Sequence, residues 1–225
     1  PSIWNTLAPA DSVVFKNFVA LCKPQAILVI FALFATLLKL GDAKKVISRV
    51  PVGTILMIAG VSFLMSIAKE AGMRYAVLTA KHHDGFCLFD SKLTDYKSTN
   101  TKAGRDLVRE YLEAFRAEGL KVGLDYSLLD WHHPDYPHYG DLHHPMRNHP
   151  ECGNENRDFN RYLDYMHGQV RELCENYGKI DIMWFDFSYG EMTGEKWKAA
   201  ELVNMVRSLQ PDIILDNRLE VSGEG

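Results

Sequence analysis

Residues 180–189 read Ile-Asp-Ile-Met-Trp-Phe-Asp-Phe-Ser-Tyr, and this stretch decides the fold class. An apolar run this short, bounded by Gly178-Lys179 before it and by Ser188 to Gly194 after it, fits a strand buried on both faces. Its single late acid, Asp186, then stands at the C-terminal end of a parallel strand. In parallel α/β folds that end is where ligands bind and catalytic groups stand. Trp184, Phe185, Phe187 and Tyr189 surround the carboxylate, and an aromatic wall round an acid suits a sugar ring. The plainer reading is that Asp186 caps the following helix or pairs with a surface lysine.

Working outward, the pattern from Gly72 onward is regular. Tyr75 to Thr79 reads as a strand, and Gly104 to Glu118 as an amphipathic helix with Leu107, Val108, Tyr111, Leu112 and Phe115 on one face. Gly119 closes that helix as a C′ glycine. Lys121 to Ser127 is a second strand, Arg157 to Asn176 a long helix, Glu195 to Leu209 a third helix stopped before Pro211, and Ile213 to Asp216 a fourth strand. Strands alternating with helices predict βαβ units and a parallel sheet. Polar residues end successive strands: Lys81 to Asp84, Tyr126-Ser127, Asp186, and Asp216 to Arg218. That is the active-face pattern of a (β/α)8 TIM barrel, and the absence of a GxGxxG turn speaks against a doubly wound sheet. The expectation is an α/β fold, a partial barrel of about four strands, preceded by a hydrophobic helical segment.

That segment, residues 1–70, differs in character. Gln25 to Leu38 and Val52 to Ala68 are apolar runs of 14 and 17 residues, joined by a basic stretch from Lys39 to Pro51. Their lengths approach what a bilayer span needs, and small residues such as Gly53, Ala59 and Gly60 suit helix packing in a membrane. The segment is similar to a helical hairpin of a bacterial ion or organic-anion transporter, which makes residues 18–68 a candidate for membrane association; a pair of buried helices in a soluble core is the alternative. Its character stops near Lys69 to Gly72, which reads as a chimaeric join at or near Ile67 to Gly72, between a unit at 1–70 and a second at 71–225, with a natural membrane anchor as the alternative. The 225-residue chain has a formal net charge of −4, which points away from a nucleic-acid partner. Its four cysteines form no CxxC, so neither a zinc knuckle nor a disulfide scaffold is indicated, and the compartment is not readable.

Eight of the nine histidines lie between His82 and His149. Lys81-His82-His83-Asp84-Gly85-Phe86 places two imidazoles at a strand end, where they can bind the hydroxyls of a polyol. Consecutive histidines on extended backbone point to opposite sides, which disfavours a shared metal. Residues 125–137, DYSLLDWHHPDYP, pass from strand into a loop rich in Trp, Tyr and His, as loops that shape specificity often are. Glycoside hydrolysis needs a second carboxylate besides Asp186, and Asp84, Glu191, Asp216 and Glu220 are the candidates.

The segments AGMRYAVLTAKHHDGFCLFDSKLTDYKST, GRDLVREYLEAFRAEGLKVGLDYSLLDWHHPDYP, IDIMWFDFSYGE and DIILDNRLE together resemble the α-L-fucosidases of glycoside hydrolase family 29 over about residues 67–224. The resemblance implies a (β/α)8 catalytic domain that releases terminal α-L-fucose from fucosylated glycans with retention, with no metal or organic cofactor. It makes Asp186 the nucleophile. It places His82, His83 and Tyr126 in the fucose pocket, with Trp131, His132 and Trp184 as further substrate contacts. The family's general acid/base Glu lies beyond the stretch matching Asp216 to Glu220, so it is expected to be absent from this chain, and little activity is expected of the chain alone. The family's earlier His-Trp-Gly motif is missing too, and Asp125 stands where an aromatic is usual.

Overall fold

The computed structural model describes residues 70–219 apart from 140 and 191. The chain divides into two compact units, Pro1–Ala71 and Gly72–Gly225, and the described residues lie almost entirely in the second. The two apolar runs considered for membrane association fall outside the described residues. Among the described residues no helix is long and apolar enough to cross a membrane.

Four parallel strands form one sheet in chain order: β1 (Tyr75–Lys81), β2 (Lys121–Ser127), β3 (Ile182–Asp186) and β4 (Ile214–Leu215). Helices α1 (Leu107–Ala117), α2 (Phe159–Asn176) and α3 (Ala199–Leu209) fill the connections between them. Consecutive strands lying side by side, each followed by a helix, are the repeating unit of a (β/α)8 barrel. The helices begin and end where local chemistry directs. The Asp106 carboxylate accepts from Arg109 N–H to cap α1, and Asp158 accepts from Asn160 N–H to cap α2. Gly119, at φ +75°, ends α1 in a Schellman turn, with its N–H donating to Arg116 C=O and Leu120 N–H to Phe115 C=O. The expected third helix from Glu195 is interrupted. Gly194–Trp197 form a 3-10 turn, Lys198 takes a left-handed φ of +50°, and the α-helix starts at Ala199. Buried Trp197, donating from Nε1 to Met192 C=O, anchors that break.

The register separates the two faces of the sheet. Thr79 pairs with Asp125, Asp125 with Trp184, and Ser127 with Asp186, so these side chains share one face. The other face carries Leu78, Val122, Leu124, Tyr126, Met183 and Phe185, which join the core built with Tyr162, Met166, Val170 and Leu173 of α2. β3 is therefore not buried on both faces, as its apolar run had suggested. Met183 and Phe185 are wholly buried against helices, whereas Trp184 between them is 40% exposed. On that open face Gly123 is required by space: a Cβ there would stand 2.9 Å from Val77 Cγ2 and 3.0 Å from Ile182 Cβ.

A buried ion pair ties the top of β1 to the loop after β2. Lys81 Nζ donates to Asp130 Oδ2 at 3.2 Å and to Leu129 C=O at 3.1 Å, and sits 4.6 Å from the centre of the Tyr126 ring. Asp130 Oδ1 accepts in turn from the N–H groups of His132 and His133. Both side chains are shielded from water and bonded on several sides, which is the condition under which a buried pair is tolerated.

Candidate active site

The site lies where β1, β2 and β3 end. β1 stops at Lys81 and the chain turns, with Gly85 N–H donating to His82 C=O. This turn swings the adjacent imidazoles together instead of apart: the His82 and His83 ring centres are 3.9 Å apart. Donor atoms of His82, His83 and Asp186 all lie within 4.8 Å of one another. The sequence expectation that the two rings diverge is corrected here, because it assumed extended backbone through a turn.

Two members of the trio, His83 and Asp186, are held by neighbours. His83 Nδ1 lies 2.5 Å from Ser127 Oγ, and Ser127 is held by Leu129. Asp186 Oδ1 accepts from Arg218 Nη1 at 3.3 Å, and the same guanidinium lies 5.5 Å from the Trp184 ring centre. Phe187, directly after the carboxylate, takes φ +82°, a conformation that costs a non-glycine residue about 1–3 kcal/mol. The turn presses the Phe187 ring edge-on to His83 at 4.8 Å and to His143 at 4.6 Å. Burial, reinforced by the His82 charge, lowers the His83 pKa to about 4, so its ring is neutral at ordinary pH. A neutral imidazole offers one donor and one acceptor, the complement of a sugar hydroxyl. The trio could geometrically take a metal ion, but Asp186 already meets the Arg218 cation and His83 already meets Ser127.

Below the trio, on the same face, two more carboxylates flank Trp184. Asp125 Oδ2 accepts from Thr79 Oγ1 at 2.8 Å, and burial raises its pKa. Asp216 Oδ1 accepts from Phe185 N–H at 3.0 Å, and burial raises its pKa to about 6. Asp125 Oδ1 and Asp216 Oδ2 are buried without a hydrogen-bond partner.

Of the residues singled out in the sequence, Asp186, His82 and His83 converge. Trp131 borders them, with its ring 5.4 Å from His83 and its backbone N–H donating to His83 C=O. Trp184 lies one layer beneath Asp186 and joins it through Arg218. His132 stacks on Tyr96, with ring centres 4.0 Å apart. Tyr126 is corrected as well. Strand alternation turns it to the helix side, where it is fully buried and donates to Gln169 Oε1 at 2.7 Å; Asp125 and Ser127 are the β2 residues on the side of the candidate site. Among the second-carboxylate candidates, Asp84 is exposed and accepts from Phe86 N–H in the turn, Asp216 sits in the layer below, and Glu191 and Glu220 lie outside the described residues. Sequence reasoning gave no role to Arg218, Ser127 or His143. All three stand at or beyond strand ends, and that position was the available signal.

The family model described as Alpha-L-fucosidase matches residues 62–224. Alpha-L-fucosidase 1 of Arabidopsis thaliana is 32% identical over 157 residues, covering 67% of this chain and 27% of the plant protein. Among solved structures, Alpha-L-fucosidase isoenzyme 1 from Paenibacillus thiaminolyticus is 70% identical, with a TM-score of 0.68 over 70% of this chain and 37% of that one. A variant of Alpha-L-fucosidase AlfC, from Lactobacillus casei, in complex with Fuca(1,6)GlcNAc is 31% identical, with a TM-score of 0.61 over 71% of this chain and 52% of that one. The chain thus spans between about a quarter and a half of the length of these relatives.

Proposed function

The chain belongs to the alpha-L-fucosidase family, and on that premise we propose that its described unit carries the fucose-binding and nucleophile side of a retaining glycosidase site. The observation that carries this reading is the convergence of His82, His83 and Asp186 within 4.8 Å at the ends of β1 and β3, the two parallel strands on either side of β2. His82 and neutral His83 bind ring hydroxyls of a terminal α-L-fucosyl group. Trp184 forms the floor, and Trp131 and Phe187 form the walls. Asp186, with Arg218 beside it, attacks the anomeric carbon. The C1–O bond to the leaving group breaks as an ester bond to Asp186 forms, and the leaving oxygen takes a proton from a general acid. Water then cleaves the ester and releases fucose with its configuration retained. The relative solved with Fuca(1,6)GlcNAc supports a fucosylated glycan as the substrate class.

A fucosyl donor with a fluoride leaving group needs no proton donor and tests the nucleophile directly. Incubation with 2-deoxy-2-fluoro-α-L-fucosyl fluoride is expected to add one 2-fluorofucosyl mass to the chain, on the peptide containing Asp186, and Asp186→Asn is expected to stay unlabelled. Labelling on another residue removes Asp186 from this role. Binding of L-fucose without any labelling supports a fucose-binding unit with no covalent chemistry.

A further inference from the structure

The residue directly after Asp186 carries backbone strain that other parts of the fold must hold. Phe187 takes φ +82°, a conformation that persists in a non-glycine residue only where the surroundings over-determine it. β3 ends at Asp186, whose C=O accepts from Leu128 N–H at 2.9 Å. Beyond that bond, rings clamp the turn. Phe187 lies between His83, at 4.8 Å, and His143, at 4.6 Å, and Tyr189 packs edge-on to His143 at 4.4 Å. Tyr189 and Met192 exchange backbone hydrogen bonds of 3.2 and 2.8 Å, which close the loop after β3 on itself.

His143 and Tyr189 are held in turn by one side chain. Asp141 Oδ1 accepts from the Tyr189 hydroxyl and from His143 N–H at 3.0 Å, and Oδ2 accepts from Tyr136 Oη at 2.8 Å. Asp141 is only 7% exposed, and Tyr136 is fully buried against Tyr162 and Phe159 of α2. Burial, with the Asp141 hydrogen bond next, raises the Tyr189 pKa, so that hydroxyl keeps its proton and stays a donor. A carboxylate is costly to bury unless it is bonded. What this one gives is three directed bonds from a single point, joining the loop after β2 to the loop after β3. A path of contacts therefore runs from α2 through Tyr136 and Asp141 to Tyr189 and His143, and on to the strained residue beside Asp186.

We infer that Asp141 is a positioning residue for Asp186: by holding Tyr189 and His143 it keeps Phe187 in its left-handed conformation, and so keeps the neighbouring carboxylate within reach of His82 and His83. The inference rests on the fucosidase reading of the trio, and the two are tested separately. The full chain is incubated with 2-deoxy-2-fluoro-α-L-fucosyl fluoride over a range of concentrations; the C–F bond breaks as the ester to Asp186 forms, and fluoride leaves. Mass spectrometry follows the labelled fraction with time. Asp141→Ala is expected to lower the maximal labelling rate about tenfold or more, with the half-saturating concentration within about twofold, because the imidazoles still bind the sugar while the carboxylate is misplaced. Asp141→Asn keeps the oxygen that accepts from Tyr189 and His143 and is expected to stay within about twofold of wild type. Tyr189→Phe removes one of the three bonds; it is expected to lower the rate about threefold, and it carries the test if Asp141→Ala does not fold. Partial unfolding lowers the fraction labelled and leaves the rate of the folded remainder unchanged, so it is told apart from a change of position. Nuclear Overhauser contacts between the Phe187 ring and the His83 and His143 imidazoles read the clamp without any chemistry. They are expected in wild type and Asp141→Asn and are expected to be lost in Asp141→Ala. That pattern with no chain labelled would break the nucleophile reading and leave the clamp standing. Rates and Overhauser contacts unchanged in Asp141→Ala and Tyr189→Phe, or Asp141→Asn as slow as Asp141→Ala, would overturn the positioning role.

Discussion

At the scale of single residues, two groups of the candidate site titrate in opposite senses. His83 has a folded pKa of about 4 against an ordinary 6.5, because burial disfavours its charged ring. The unfolded chain takes up that proton first as pH falls, so this contribution to stability is intact above about 6.5 and is lost on going down towards 4. An NMR titration is expected to find the His83 imidazole still neutral at pH 5; a midpoint near 6.5 would show that the ring is not shielded as described. Asp216 has a folded pKa of about 6 against 3.8, so it stabilises below 3.8 and loses that contribution as pH rises through about 6. Asp216→Asn keeps the acceptor for Phe185 N–H and removes the buried charge. It is expected to raise stability by about 1–2 kcal/mol at pH 7.5 and to leave it nearly unchanged at pH 4, measured by urea unfolding. The sequence placed Asp186 and the histidine pair at strand ends as a candidate site, and the structure brings the three side chains within 4.8 Å of one another. The sequence did not show that Arg218 pairs with Asp186 or that Ser127 orients His83, since both contacts cross between strands.

At the scale of elements, the turn after β1 is the most constrained segment. Gly85 has φ +77°, and a Cβ there would stand 2.3 Å from Asp130 Oδ1 and 2.9 Å from His132 Cβ. Gly85→Ala is expected to cost about 2 kcal/mol or more, because it strains the turn and pushes on the acid that holds Lys81. Equal unfolding midpoints for Gly85→Ala and wild type would mean that this loop does not pack as described. The Lys81–Asp130 pair should show the asymmetry of buried ions. Asp130→Ala leaves an unpaired ammonium inside and is expected to cost about 3–5 kcal/mol, more than Lys81→Met, which leaves Asp130 bonded to two backbone N–H groups. Elements were largely readable from periodicity and caps: β2 spans Lys121–Ser127 as expected, and α1 ends at its predicted glycine turn. The start of α3 was not, because the sequence around Lys198 is compatible with helix, whereas Lys198 takes a left-handed φ of +50° beside buried Trp197.

At the scale of the whole described unit, the sheet has one packed face and one open face. Leu124 is fully buried among the helices, whereas Val77 on the opposite face is 38% exposed and Trp184 40%. Leu124→Ala is expected to cost about 2–5 kcal/mol, and Val77→Ala well under that, in the same chemical denaturation series. Similar losses at the two positions would show that the open face is covered as tightly as the helical one.

The order of strands and helices, the parallel sheet and the identity of the strand-end acid follow from the sequence alone, because hydrophobic period, capping residues and polar strand ends are local signals. Which face each strand residue takes follows from tertiary structure alone. The register across β1, β2 and β3 sends Tyr126 to the core and Asp125 to the site, and a turn of a few residues brings His82 and His83 together on Asp186. A shift of one residue in a strand reverses the side on which its chemistry appears, and only pairing with neighbouring strands sets that register.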